Sequence, residues 1–153
     1  MQAQQQGLSN VAQVEALADQ LSACADAIHA RVMKEIARHG DAPMSDKEQA
    51  LARALLEDEM LLRQRANGLY ADAASIVVKA LNRPQQHVME LTAAAAEKIR
   101  KIALLGDVTG LVAGLLLLGG AAATGQVAPI LLALKKISDQ LKAVELHRAR
   151  PAG

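Results

Sequence analysis

Aromatic residues are nearly missing: the 153-residue chain has one Tyr and no Phe or Trp. The Trp and Tyr girdle that anchors resident membrane proteins at both interfaces is therefore lacking. The apolar weight, 52% of the residues, falls on Ala, Leu, Val, Ile and Met, most of them helix formers. An excess of charge of either sign is missing too, with 17 basic and 16 acidic residues and a formal charge of +1. Nothing in that balance draws the chain to nucleic acid, which is not expected as a partner. Cys24 is the sole cysteine, so no internal disulfide can form, and its apolar neighbours on a helix mark it as a small buried hydrophobe.

Catalytic patterns are absent as well. No G-x-S-x-G, P-loop, G-x-G-x-x-G or paired-Cys motif occurs. Asp26 with His29 and His87 with Glu90 share the i, i+3 spacing of di-metal helical bundles, and Glu35 with His39 the i, i+4 spacing. A full di-metal site would also need two further carboxylates at matching depth in the core, and the consecutive Glu57, Asp58 and Glu59 are expected instead to face water and pair with Arg53 and Arg63. No metal, cofactor or enzymatic activity is expected. The N-terminus has neither a basic n-region nor an apolar h-region, so the expectation is synthesis in the cytoplasm without a classical signal peptide. A specialised export route or membrane association stays open.

What the chain does have is helical rhythm. After a flexible stretch over 1–8, Ser9 or Asn10 can cap a first helix. Val11, Val14, Ala18, Leu21, Ala25, Ile28 and Val32 then form one stripe, and Gly40, Asp41 and Pro43 stop it, giving helix 9–39. Ser45 and Glu48 read as a capping box that opens a second helix, 45–81, with Asn67-Gly68 as a possible kink. Arg83-Pro84 opens a third, 84–118, ended by Gly119 and Gly120. A fourth runs over 126–147 with Pro129 in its first turn, and 148–153 is a frayed tail. The expectation is an all-α, single-domain antiparallel bundle of four principal helices.

One stretch stands apart. From Val108 to Leu134 the chain holds no Asp, Glu, Lys, Arg or His, more than a core helix needs when its outer face meets water. Helices 3 and 4 are expected to form an apolar hairpin turned at Gly119, Gly120 and Gly125. Leu104 to Leu118 spans about 22 Å at 1.5 Å per residue, short of the ~30 Å of a hydrocarbon core. Conditional or shallow insertion, or burial against protein, suits such arms better than a full crossing.

Gly106, Gly110 and Gly114 recur every four residues, the spacing that lets two helices touch backbones, in lipid or inside a bundle. With Leu111, Val112, Leu115, Leu116, Ile130, Leu131 and Leu134 they make up the candidate helix-packing or membrane surface. Asp107 at its edge is a candidate for lining a lumen or sensing pH, unless it pairs with Lys101 or Arg100. Lys98, Arg100, Lys101, Lys135 and Lys136 flank the apolar region and could meet anionic head groups.

In pattern, though not in motif residues, this arrangement is similar to that of helical pore-forming toxins and secretion-system translocators. The resemblance implies a non-enzymatic, membrane-active or self-assembling protein. The partner through the hairpin is then a lipid bilayer or a protein, including a homo-oligomer. The alternative is a bundle acting as adaptor, chaperone or cognate partner, with the hairpin as core or interface.

Overall fold

A computed structural model describes residues 11–76, 85–124 and 126–149. All secondary structure among them is helical: α1 (Val11–His39), α2 (Asp46–Ile76), α3 (Gln85–Lys101), a 3-10 turn (Leu105–Asp107), α4 (Val108–Thr124) and α5 (Val127–Ala149). The protein is all-α, with five helices where the sequence suggested four. The expected flexible start, Ser9 and Asn10, residues 77–84, Gly125 and the last four residues lie outside the described chain.

The first stripe is the core face of α1. Val14, Ala18, Leu21, Ala25, Ile28 and Val32 are all buried, while Val11 at the end stays exposed. Leu17 and Cys24 are buried beside them because α1 packs on α2 along one side and on α3 along another. Gly40, in the left-handed region at φ +57, ends α1 by accepting the one conformation there that a side chain resists. The capping box forms in both directions: the Glu48 amide donates to Ser45 Oγ at 3.1 Å, and the Ser45 amide donates to Glu48 Oε1 at 3.0 Å. Its α2 runs unbroken through Asn67-Gly68 and departs from helical geometry at Asp72 (φ −109, ψ 15) instead.

Polar pairs fix the register of α1 against α2. Arg63 donates to Asp26 at 2.8 Å and to Glu59 at 2.9 Å, His29 Nδ1 lies 2.9 Å from Glu59 Oε1, and Tyr70 donates to Asp19. Positions rising along α1 meet positions falling along α2, so the two run antiparallel. Glu59 was expected to face water; it is buried (8% exposed), because its two oxygens bridge partners from both helices, His29 on α1 and Arg63 on α2. Desolvation, reinforced by the neighbouring Glu57, pushes the half-buried Asp58 carboxyl above its ordinary range.

The largest correction concerns the third helix. The expected continuous segment 84–118 is two helices, α3 and α4, separated at residues 102–107. Leu104 is extended (φ −104, ψ 124), and the Asp107 amide donates to the Leu104 oxygen at 2.9 Å to close the 3-10 turn. The cause sits on α1. Arg31, only 6% exposed, donates from Nε to the Ile102 carbonyl at 2.8 Å and from a terminal nitrogen to the Ala103 carbonyl at 3.0 Å. Those two oxygens would otherwise be orphaned where α3 stops. The remaining terminal nitrogen of Arg31 donates to Glu35 Oε1 at 3.0 Å, which compensates the buried charge.

The break reverses the chain. Cys24 meets the Thr92 carbonyl and Arg31 the Ile102 carbonyl, so α3 runs parallel to α1. Gly106 faces Leu51 and Gly119 faces Arg65, so α4 runs parallel to α2. Around the bundle the order of neighbours is α3, α1, α2, α4, α5, with α5 closing back on α3. One core runs through it, including Leu21, Ile28, Leu62, Ile99, Leu111 and Leu115.

Candidate functional site

The second correction is at the hairpin. Gly119 and Gly120, expected to turn the chain, lie inside α4, which continues to Thr124. Packing overrides the local preference: a Cβ at Gly119 would stand 3.0 Å from Arg65 Cβ and 3.4 Å from Leu21 Cδ1. The glycine lets α2 come close, at a propensity cost of about 1 kcal/mol. The turn falls between Thr124 and Val127, where Gln126 is exposed and its amide donates to Thr124 Oγ1 at 3.2 Å. The apolar hairpin is therefore α4 with α5, and its first arm is longer than expected. Leu105–Thr124, 20 residues with a mean hydropathy of 1.7 over an 18-residue window, is the one described segment long and apolar enough, by length and composition, to cross a membrane, and 56% of that window is buried inside the protein.

The glycine spacing serves this hairpin from within. A Cβ on Gly110 would meet the Gln140 side chain at 2.2 Å, and one on Gly114 would meet Ile137 Cγ1 at 2.8 Å and Ile137 Cα at 3.5 Å. Gly110 and Gly114 thus bring α4 onto α5 of the same chain, while Gly106 faces Leu51 at a relaxed 4.0 Å. Leu111, Val112, Leu115, Ile130 and Leu134 are buried, and Leu116 is half-buried against the core. Leu131 is exposed at 38%.

The contact register also places the charges. Because Gly114 lies against Ile137, Lys135 and Lys136 sit about halfway along the hairpin, level with the middle of α4. They do not share one end with Lys98, Arg100 and Lys101, as a hairpin with both basic flanks at its base would require. Lys98 pairs with Glu145 at 2.6 Å, Lys101 with Glu97 at 2.8 Å and Lys135 with Asp139 at 3.0 Å. The exposed pairs Lys101–Glu97 and Lys135–Asp139 hold side chains loosely and can exchange for another anion. Arg100 is exposed and Lys136 half-buried. Asp107 is half-buried in a groove of about 260 Å³ that it shares with Gly106, Thr109, Gly110, Gln140 and Val144.

What the hairpin turns outward is the feature the sequence did not resolve. On α4 the positions 109, 113, 117, 120, 123 and 124 recur at helical spacing on one side, and those residues are Thr, Ala, Leu, Gly, Ala and Thr. On α5 the exposed positions before Lys135 include Ala128, Leu131 and Leu132. Leu117 is 53% and Leu132 68% exposed. Arg65 is the cation beside this face, its stem against Gly119 and its guanidinium carbon near Gly120. Periodicity in an all-apolar run carries no sidedness, so nothing in the sequence separated Leu117 from Leu118, which is buried. No protein family, curated protein or solved structure matches this chain.

Proposed function

We propose that this protein is a non-enzymatic, membrane-active helical bundle that seats the outer face of its α4–α5 hairpin in the head-group and acyl boundary of a bilayer. The observation that carries this reading is an exposed face, from Ala113 to Thr124 on α4 and from Ala128 to Leu132 on α5, without a single charge. Lys135 ends that face, so the uncharged arm of α5 covers about 12 Å at 1.5 Å per residue. A helix lying in the interface buries its apolar side ~5–10 Å deep, with cations at the rim. Arg65, Lys135 and Lys136 supply cations at such a rim. The glycines pack α4 and α5 against each other, so the hairpin meets the bilayer already assembled.

Vesicle flotation tests the reading with the intact chain and liposomes of phosphatidylcholine containing an anionic lipid. The expected result is association that weakens with added salt and without the anionic lipid. Absence of association anywhere between pH ~5 and 7.5, the range in which His titrates, rejects it.

A second reading has its own support. Ala113, Leu117 and Gly120 follow an i, i+4, i+7 rhythm, the pattern with which one helix docks on another. On that reading the same face takes a partner protein or a second copy, and the bundle is an adaptor or cognate partner. Concentration-dependent mass in light scattering, with no flotation, favours it.

A further inference from the structure

We propose that Glu35, His39 and Glu48 bind a divalent transition-metal ion of the zinc class, joining the end of α1 to the start of α2. One ligand atom from each lies within 4.8 Å of the other two. His39 Nε2 is 3.2 Å from Glu48 Oε2 and 3.8 Å from Glu35 Oε2. Ligands bound tetrahedrally at ~2.0–2.1 Å stand about 3.3–3.4 Å apart, close to the two distances from His39 Nε2, while the two carboxylate oxygens, within 4.8 Å of each other, would draw together on the ion. Water would take the fourth position. Glu35 and His39 are one turn apart on α1, and the loop to Ser45 brings Glu48 to them.

Two further observations point to a cation. His39 Nε2 is fully buried and makes no hydrogen bond, although carboxylate oxygens lie on either side. Closeness without alignment suits a shared metal ion better than a shared proton, since a buried ring nitrogen otherwise takes a directional partner. The outer ring of contacts is also in place. Arg31 holds Glu35 by Oε1 and the Ser45 amide holds Glu48 by Oε1. That turns Glu48 Oε2 to the imidazole at 3.2 Å and sets Glu35 Oε2 3.8 Å from it, the kind of support that orients metal-ligating carboxylates. Arg38 is the competitor, paired with Glu35 Oε2 but 67% exposed, and its long side chain can swing into water when the metal enters.

The test uses the intact chain, cleared of metal by dialysis against a chelator, titrated with Zn²⁺ by calorimetry and with Co²⁺ by visible absorption. One ion per chain and the absorption bands of tetrahedral Co²⁺ are expected. His39→Ala and Glu48→Gln should each weaken binding by about tenfold or more; Gln keeps the capping box, so Glu48→Gln retains the helix start, and circular dichroism checks the fold of both. Arg38→Ala should bind more tightly, because the competing cation is gone. Failure to saturate by about 1 mM metal, undiminished affinity in His39→Ala, or weaker binding in Arg38→Ala overturns the site.

Discussion

Arg31 on α1 donates its Nε–H to the carbonyl oxygen of Ile102 at 2.8 Å, 71 positions along the chain. With the bond to Ala103 it terminates α3 and sets the corner from which the hairpin departs. Replacing Arg31 with Leu leaves Glu35 buried without its inner partner and two carbonyls without donors. The expected loss is about 3–5 kcal/mol, the range for breaking a buried pair from one side. It should appear as a lowered urea midpoint with an unchanged slope. Arg31→Lys should recover little, because one ammonium cannot reproduce three directed donors.

The two hairpin glycines should respond differently to Ala. At Gly114 the new methyl meets Ile137 close to the backbone, and the overpacking cost of about 1–3 kcal/mol exceeds the ~1 kcal/mol gained in helix propensity. At Gly110 the clash is with the amide end of the half-buried Gln140, which can rotate away. Gly110→Ala is therefore expected to be neutral or slightly stabilising. Equal destabilisation of both in thermal melts would show that Gln140 is fixed.

Stability should fall in acid through carboxylates at the α1–α2 end. The Arg38 bond, with Arg31 alongside, holds the Glu35 carboxyl below its usual range, and the Ser45 amide does the same for Glu48. A depressed folded-state value stabilises above the unfolded-state value, ~4.3 for Glu, and that stabilisation is lost as pH falls through the folded one. The urea midpoint should therefore be level between pH ~7 and 5 and drop below pH ~4. Glu35→Gln should flatten the drop; an identical acid limb in that variant would place its origin elsewhere.

Cys24 should be inert in the folded protein. Burial pushes its thiol up to about 12, and its Sγ is turned to the Thr92 carbonyl at 3.4 Å. At pH ~8 almost no thiolate is present, and thiolate is the reacting form. Iodoacetamide should label Cys24 in urea and leave it unlabelled in buffer, and rapid native labelling would contradict the burial.

Charging the outer face separates lipid contact from folding. Leu117→Lys and Leu132→Lys sit where the side chains are more than half exposed, so the unfolding free energy from urea titration should shift by no more than about 0.5 kcal/mol. Flotation should be lost in both. Retained flotation in the double variant would move the contact to another surface.

The sequence already disclosed whatever its cause lay within a turn or two. The Ser45–Glu48 box, the α1 stripe, the Gly40 stop and Pro129 in the first turn of α5 are local, and the structure reproduces each. The reversal at 102–107 was hidden because its cause, Arg31, is remote, and the residues that lead into the break, Ala103, Leu104 and Leu105, are better helix formers than Gly106 and Asp107 that follow. Gly119-Gly120 misled for the converse reason: their preference to end a helix gives way to contact with Arg65 and Leu21. The spacing of Gly110 and Gly114 announced a close helix contact without saying that Gln140 and Ile137 of the same chain would make it.

The Arg31 latch also bears on how the molecule assembles. A corner closed by a side chain from α1 cannot form until both α1 and α3 are in place, so it belongs to the non-local contacts whose loop-closure entropy is met late. Until then residues 102–107 are held out of α-helical geometry by local bonds, the Asp107 amide to the Leu104 oxygen and the Thr109 hydroxyl to the Gly106 oxygen, which compete with one straight rod from α3 into α4. Folding must select the bend over that rod. An Arg31 variant should accordingly refold at nearly the parent rate while unfolding faster, and the apolar hairpin would be the first part released.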